Sequence, residues 1–374
     1  MPKNRAMPAH TDEENASTVR YVSALTYGRG LLMEPWKGKR VLITGVCGTV
    51  GRELLRQVVR QNPDEVVGID NNESGLFFMM EEYGSQPYVR FYLGDVRDRD
   101  GMIRKMDGID VVLHAASFKH VLLGERSPRD VIQANVIGTQ NVIDAALDNG
   151  VERVLFTSSD KAVNPTNVMG TSKLMSERLM TAANALRRGD KPIFASTRFG
   201  NVLGSRGSVI PVFKHQIRAG GPVTLTDPEM TRFIMTLDEA VRLVMDSVFL
   251  ARGGEVFVTK MPILRIADLA EVMVEELANG NGAVPVKTVG TKAGEKLYEE
   301  LMNEEETRRT VELDRYFVII PAFRSLYADV EYVYPGQLSE NGGVRTYNSA
   351  NSEPLGREEL REYLTTHRLL NGAV

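Results

Sequence analysis

Hydrophobic and polar positions follow two rhythms along this chain. Short, nearly unbroken apolar runs recur, bounded by turn residues: "RVLIT" from Arg40, "EVVGID" from Glu65, "YVRFYLGD" from Tyr88, "DVVLHAA" from Asp110, "RVLFTSS" from Arg153 and "PIFASTRFG" from Pro192. Runs of this length, rich in β-branched residues, predict buried strands. Between them apolar residues recur at helical spacing. In "TVGRELLRQVVRQN" the residues Val50, Leu54, Leu55, Val58 and Val59 share one side, and "VIQANVIGTQNVIDAALDNG" predicts one long helix with Gly150 as its C-terminal stop. Strands alternating with helices imply parallel βαβ units. The expected fold class is α/β, a doubly wound parallel sheet whose ligand lies along the rim of strand C-terminal ends.

After about residue 200 the alternation loosens. "GSRGSVIPVFKHQIRAGGPVTLTD" mixes turn residues with short apolar pieces, and "TLDEAVRLVMDSVFLARGG" and "IADLAEVMVEELANG" are amphipathic helices. The division expected is an N-terminal arm over 1–37, a dinucleotide-binding domain over 38–200, a smaller substrate-binding lobe over 201–330 with room for returning sheet elements, and a C-terminal extension over 331–374.

Composition narrows the class without naming a function. A net charge of −4 offers no broad electrostatic reason to bind nucleic acid or an anionic membrane. One cysteine, Cys47, excludes an internal disulfide and fits a reducing compartment. The first residues lack the apolar stretch of a signal peptide, and no apolar run approaches a membrane span. The expectation is a cytoplasmic protein with no membrane or nucleic-acid partner and no bound metal.

The first run is followed by "TGVCGTVG", which places Gly45, Gly48 and Gly51 in a strand–turn–helix setting. Such glycines let backbone approach a pyrophosphate at a helix N-terminus. Thr49 and Val50 lie in the same turn. Asp70 ends the second strand nineteen residues after Gly51. A carboxylate there accepts from ribose hydroxyls and repels a 2′-phosphate, so NAD is the expected cofactor rather than its phosphorylated form. The competing use of Asp70, Asn71 or Asn72 is as a helix cap.

With these residues in place, the chain resembles an extended short-chain dehydrogenase/reductase, a Rossmann-type fold. The branch it is most similar to is the nucleotide-sugar 4,6-dehydratases of bacterial polysaccharide and nonulosonate biosynthesis. The segments that carry the resemblance are "GDV" at 94–96, "HAA" at 114–116, "FKHV" at 118–121, "SSDKAVNPTNVMGTSK" at 158–173, "RFGNVLGSRGSVIP" at 198–211, "TDPEMTRFIM" at 226–235 and "GEKLYEELMNEEE" at 294–306. The resemblance implies Asp95 and Val96 near the adenine, the Ala115–Ala116 backbone at the cofactor and Asn135 as a structural polar residue. It also implies Ser159, Asp160, Lys161, Met169 and Lys173 at the catalytic centre. Lys119, Asn201, Arg206, Arg232 and Glu300 are implied around the sugar nucleotide, with Glu300 at the nucleoside ribose.

The family usually places a tyrosine four residues before the lysine; here that position is Met169, before Lys173. A thioether has no ionisable proton and cannot replace the phenol. Some members of this branch, including legionaminic-acid and bacillosamine pathway dehydratases, are similar in carrying methionine there. The reaction implied oxidises C4, eliminates water across C5–C6 and returns hydride to C6, with Asp160 as acid and Lys161 as the C5 base. For that, Lys161 needs a depressed pKa. Asp160, a water or Lys173 would accept the C4 hydroxyl proton in the absence of the phenol. The alternatives are a C5-inverting dehydratase, a nucleotide-sugar epimerase, or an NAD-binding regulator without turnover. A homo-oligomer is expected.

Overall fold

The computed structural model describes residues 34–205, 207–278, 284–290, 294–323, 330–338 and 344–370. Among the described residues nine strands form the main sheet. Six coincide with the apolar runs: β1 (Arg40–Thr44), β2 (Glu65–Asp70), β3 (Val89–Leu93), β4 (Val111–His114), β5 (Arg153–Ser159) and β6 (Ile193–Phe199). Three come from the second half of the chain: β7 (Val256–Thr259), β8 (Thr310–Glu312) and β9 (Tyr316–Ile319). The spatial order is β8-β9-β7-β6-β5-β4-β1-β2-β3. Strands β1 to β7 pair in parallel, and β9 runs antiparallel to both β7 and β8. The order reverses between β1 and β4, the switch point where sheets of this kind hold ligands.

Helices cover both faces. On one, Val142, Ile143 and Ala146 of α4 (Gly138–Asp148) and Met180 of α5 (Val168–Ala183) pack on Leu42, Val112, Val154 and Phe156 of the sheet. Helices α1 (Thr49–Val59), α2 (Glu73–Tyr83) and α3 (Arg99–Lys105) follow β1, β2 and β3. The apolar side of α1 buries Leu54, Leu55 and Val58, each contributing roughly 1.5–3 kcal/mol. Alongside α1 runs α6 (Leu237–Leu250), which starts in a reciprocal Thr236/Glu239 capping box and meets Trp36 edge-on through Phe249 at 4.8 Å. His114 is fully buried between Thr44 Oγ1 (2.7 Å) and Thr139 Oγ1 (3.1 Å); burial holds its pKa down at about 3, so it stays neutral and ties β4 to β1 and α4.

The helix expected over 131–150 is interrupted. A short helix, Pro128–Val131, passes through a π-turn over Ile132–Ile137 before α4 begins. In this turn the Asn135 carbonyl accepts from Thr139 Oγ1 and Ser176 Oγ, and the Asn135 amide meets Phe118 N, Phe118 O and Ser172 Oγ. The loop after β4 is thereby fastened to α5. Gly150 does end the helix: its φ is +62° and Val151 N reaches back to Ala146 O.

The smaller lobe has its own core, with Ile210, Phe213, Ile234, Leu269 and Met273 packed together. Leu360 and Leu364 of the helix Arg357–Thr366 belong to that core, and the strand Tyr347–Asn348 pairs antiparallel with Glu300–Met302. The C-terminal stretch, for which the sequence suggested no role, is thus built into the lobe. Among the described residues no helix is long and apolar enough to cross a membrane.

Candidate active site

A cleft of about 760 Å³ runs along the C-terminal rim of β1, β4, β5 and β6 and is closed on its far side by the smaller lobe. The glycine turn forms one wall. Gly45 has φ +70°, and a side chain on it would meet the Ala116 backbone nitrogen at 2.7 Å; one on Gly51 would meet the Gly45 carbonyl oxygen at 2.1 Å. Gly48 caps α1 with no side-chain hydrogen bond, and the first turn carries no acid. The helix therefore turns its N-terminus and the positive end of its dipole to the cleft, together with Thr49 and Val50.

A smaller recess of about 310 Å³ continues from this turn, lined by Asp70, Asp95, Val96, Ala115 and Ala116 among others. Asp70 accepts from Cys47 N (2.9 Å) and Asn72 N (3.0 Å), while Asn72 caps α2 through Gly75 N. The cap is therefore Asn72, and Asp70 faces the recess. Asp95 is gripped by the Arg97 guanidinium (2.6 and 2.9 Å), which holds its carboxyl down at about 2.

At the end of β5 the chain turns through a single 3₁₀ turn, Asp160–Ala162. Asp160 is 1% exposed; its Oδ1 accepts from Ser159 Oγ (2.5 Å), Lys161 N (2.9 Å) and Lys161 Nζ (3.1 Å). The turn is set by Gly170 in the first turn of α5, where a side chain would lie 2.2 Å from the Lys161 carbonyl oxygen. Contrary to the sequence expectation, Lys161 is not depressed. Burial works against its charge and Arg232 adds to that, but the carboxylates of Asp160 and Glu299 outweigh both and hold the ammonium above the ordinary lysine range.

The other lysine behaves oppositely. Lys173 is buried, donates to Thr157 O (2.7 Å) and lies 4.6 Å from the Phe156 ring centre. Burial lowers its pKa to about 7 against the pull of Glu177. Met169, on the same helix, is 3% exposed and forms an apolar part of the wall; Ser158, also in the lining, has a buried Oγ with no hydrogen-bond partner among the described residues.

Of the residues expected around a sugar nucleotide, Lys119, Asn201 and Arg232 line the cleft. Arg232 is largely occupied: it donates to the carbonyls of Thr231, Leu297 and Lys296 and so holds the 294–299 segment in place. Arg206 lies outside the described residues. Glu300, expected at a nucleoside ribose, is not in the lining; it accepts from Asn164 Nδ2 at 3.0 Å and pairs with Lys296 at 3.6 Å. Its neighbour Glu299 lines a small pocket that adjoins the cleft and shares Lys161, Asn201 and Arg232 with it, 3.4 Å from Lys161 Nζ and 3.8 Å from Arg232 Nε. Sequence reasoning missed Glu299. No local signal could have found it: Leu301 and Met302 are both buried, so the strand shows no alternation that would mark which glutamate faces Lys161.

A glycine turn at the switch point, an acid ending β2 and a Ser-Asp-Lys set ending β5 define an extended short-chain dehydrogenase/reductase. The family model of polysaccharide biosynthesis proteins matches residues 41–321, and the chain belongs to that family. An uncharacterized membrane protein of Methanocaldococcus jannaschii is 45% identical over 88% of this chain and 96% of its own length. The inverting UDP-N-acetylglucosamine 4,6-dehydratase of Campylobacter jejuni is 36% identical, covering 79% of this chain and 86% of that one. A UDP-glucose 4-epimerase of Rickettsia canadensis is 37% identical over 88% and 96%. Two further relatives are matched over only 46% and 47% of their length. Among solved structures, Pen from Bacillus thuringiensis superposes with a TM-score of 0.83 at 38% identity, covering 90% of this chain and 99% of Pen. The dTDP-glucose 4,6-dehydratase DesIV from Streptomyces venezuelae, solved with NAD and TYD bound, gives 0.62 at 25% identity over 69% and 86%.

Proposed function

We propose that this chain is a lyase, an NAD-dependent 4,6-dehydratase that converts an NDP-N-acetylglucosamine to its 4-keto-6-deoxy product with retention at C5. UDP-N-acetylglucosamine is the first substrate to test, in line with the C. jejuni relative, and GDP-N-acetylglucosamine the second. The observation that carries the reading is the buried Asp160 joined to Lys161 at the end of β5, in one cleft with the glycine turn. Oxidation and return of hydride at one sugar carbon need the cofactor and one group to hold the hydroxyl proton; elimination across C5–C6 also needs an acid at C6 and a base at C5.

The turn fits a dinucleotide because a side chain at Gly51 would collide with its own loop, α1 turns the positive end of its dipole to the cleft, and Asp70 faces the adjoining recess. NAD held there would accept the C4 hydride and supply it again at C6. Asp160 takes the C4 hydroxyl proton, directly or through a water, and so becomes the neutral acid that protonates the departing C6 hydroxyl. Ser159, already donating to Asp160, orients that carboxyl and reaches the sugar O4. Lys161, as the free amine, removes the C5 proton and later returns it. Lys173, near neutrality at its place on α5, supplies charge beside Met169, whose thioether keeps that wall dry. Asn201 and Arg232 bind the sugar nucleotide from the lobe side.

The name of the C. jejuni relative favours C5 inversion as a second reading, and the Rickettsia relative favours 4-epimerisation. A 4-epimerase needs a group for the C4 hydroxyl proton but no acid–base pair for C5 and C6, so the joined Asp160 and Lys161 count against it. The test is product NMR in deuterated water with UDP- and GDP-N-acetylglucosamine and no added cofactor. A 4-keto-6-deoxy product labelled at C5 is expected, and its C5 configuration decides retention against inversion. A 4-epimer would replace this reading with the epimerase. NAD-loaded protein that leaves a wider panel of nucleotide sugars unchanged would replace it with the regulator.

A further inference from the structure

The proposed elimination raises a question of charge. Lys161 Nζ lies 3.1 Å from Asp160 and 3.4 Å from Glu299, and the two carboxylates keep it an ammonium. An ammonium has no lone pair with which to take the C5 proton. Its own proton must first leave, and the structure offers a place for it.

Glu299 is 3% exposed. Its Oε1 faces Lys161 Nζ and Arg232 Nε, and its Oε2 is buried with no hydrogen-bond partner among the described residues. A buried carboxylate with one oxygen unsatisfied gains from neutralisation. The charged groups facing it are Lys161 and Asp160 from the turn after β5, Arg232 from the strand Thr231–Met235 and Lys296 from its own segment. Burial and Asp160 push its pKa up, while the three cations pull it down; the net direction is upward. Its backbone is fixed from outside the cleft: Glu299 N donates to Ser349 Oγ at 3.0 Å, and Ser349 N donates to Glu299 O at 2.9 Å. The carboxylate is therefore held close to Lys161 by a segment that does not itself line the cleft.

The geometry points to Glu299 as the proton store of the elimination: it takes a proton from Lys161 Nζ, leaves the neutral amine facing C5, and gives the proton back once C5 is reprotonated. This rests on the dehydratase reading. In the step, the Lys161 N–H bond breaks and an O–H bond forms on Glu299, so that an ion pair becomes a neutral pair. The amine lone pair then takes the C5 proton. The electrons of the C5–H bond form the C5–C6 double bond of the enone and expel the C6 hydroxyl, which Asp160 protonates to water. The order is built in. While Asp160 is ionised, two anions hold the proton on Lys161. When Asp160 takes the C4 hydroxyl proton, its 3.1 Å hold on Lys161 Nζ is lost together with its weaker repulsion of Glu299, and the balance shifts towards transfer. C5 is thus attacked only after C4 is oxidised.

The test uses the NAD-loaded protein with UDP-N-acetylglucosamine between pH 6 and 9. It follows deuterium wash-in at C5, KM and Tm for the wild type, Glu299→Gln and Glu299→Asp. Wild-type wash-in should be nearly flat with pH, because its proton moves internally. Glu299→Gln should be about ten- to a hundredfold slower at pH 7, within the range of a lost proton-transfer group. Its rate should climb about tenfold per pH unit as hydroxide strips Lys161, then level off at the lysine's pKa, which falls when the Glu299 charge is removed. KM should stay within about threefold, and Glu299→Asp should recover part of the flat profile. A Glu299→Gln profile parallel to wild type, whether equal or uniformly lower, would overturn the store and leave Glu299 structural. A wild type that forms no 4-keto-6-deoxy product is a different failure: it removes the dehydratase reading itself.

Discussion

Two buried charge clusters sit at either end of one short strand, Glu300–Met302, and they are finished very differently. In the first, Arg198 of β6 is 1% exposed and every N–H of its guanidinium has an acceptor: Glu177 of α5 takes two at 2.8 and 3.0 Å, Glu306 takes two at 2.8 Å, and the Leu301 carbonyl takes one at 2.9 Å. Burial raises the Glu306 pKa, but Arg198 more than reverses it, and the guanidinium itself stays charged at any working pH. In the second, Lys161 is shared between two carboxylates, its side chain is 26% exposed to the cleft, and Glu299 keeps one oxygen unpaired among the described residues. The first cluster has a cation that cannot lose its proton and no vacant partner; the second has a cation that can, and a vacancy. Completeness marks the structural cluster, and incompleteness beside a cleft marks the chemical one. The two are also connected, since the Leu301 carbonyl held by Arg198 is two residues from Glu299.

Breaking each cluster should therefore fail in a different way. Arg198→Ala strands Glu177 and Glu306 as buried carboxylates and should cost about 3–5 kcal/mol, read by denaturant unfolding. A small loss there would make the first cluster as adaptable as the second. Asp160→Asn should lower turnover about 10²- to 10⁴-fold with little change in Tm, as a lost general acid does; normal turnover would remove Asp160 from the chemistry. Lys173→Met probes the lysine outside both clusters. Lys173 has a folded pKa of about 7, below its unfolded value of 10.5, so the unfolded chain binds more protons between these pH values. Wild-type stability relative to Lys173→Met should then rise with pH across that window, by at most about 1.4 kcal/mol per unit. A difference independent of pH would mean that Lys173 is not depressed. The smallest effect is expected for Ser349→Ala. It should cost about 1 kcal/mol through the orphaned Glu299 N–H and tilt the pH profile of C5 exchange part of the way towards that of Glu299→Gln.

The parallel half of the sheet was legible because its inner strands are apolar on both faces and alternate with helices; β1 to β6 fall on the six runs read from the sequence, although β3, at the sheet edge, is mostly exposed rather than buried. The glycine turn was equally plain, since its spacing follows from backbone contacts. Strands β7, β8 and β9 were not singled out. They are three or four residues long, and β8 and β9 return antiparallel through a region without helix–strand alternation. The π-turn at 132–137 left no mark in a sequence of good helical spacing. Arg198 carried a signal that went unused: an arginine inside the buried strand "IFASTRF" must find acids, and two of them were near in space though far in sequence. The state of Lys161 was illegible for a related reason. Its pKa depends on Glu299, 138 residues away (299 − 161), and no local pattern says which of two adjacent glutamates turns inward.

The hydrogen bonds between Ser349 and the Glu299 backbone have a practical side for anyone cloning this gene. The segment that carries Ser349 pairs with the strand that follows Glu299, the neighbour of Lys161, and the helix behind it fills the lobe's core with Leu360 and Leu364. A deletion of residues from 347 onward, made to tidy a C-terminus for crystallisation, would act as an active-site mutation. A fusion joined after the helix would leave that contact in place.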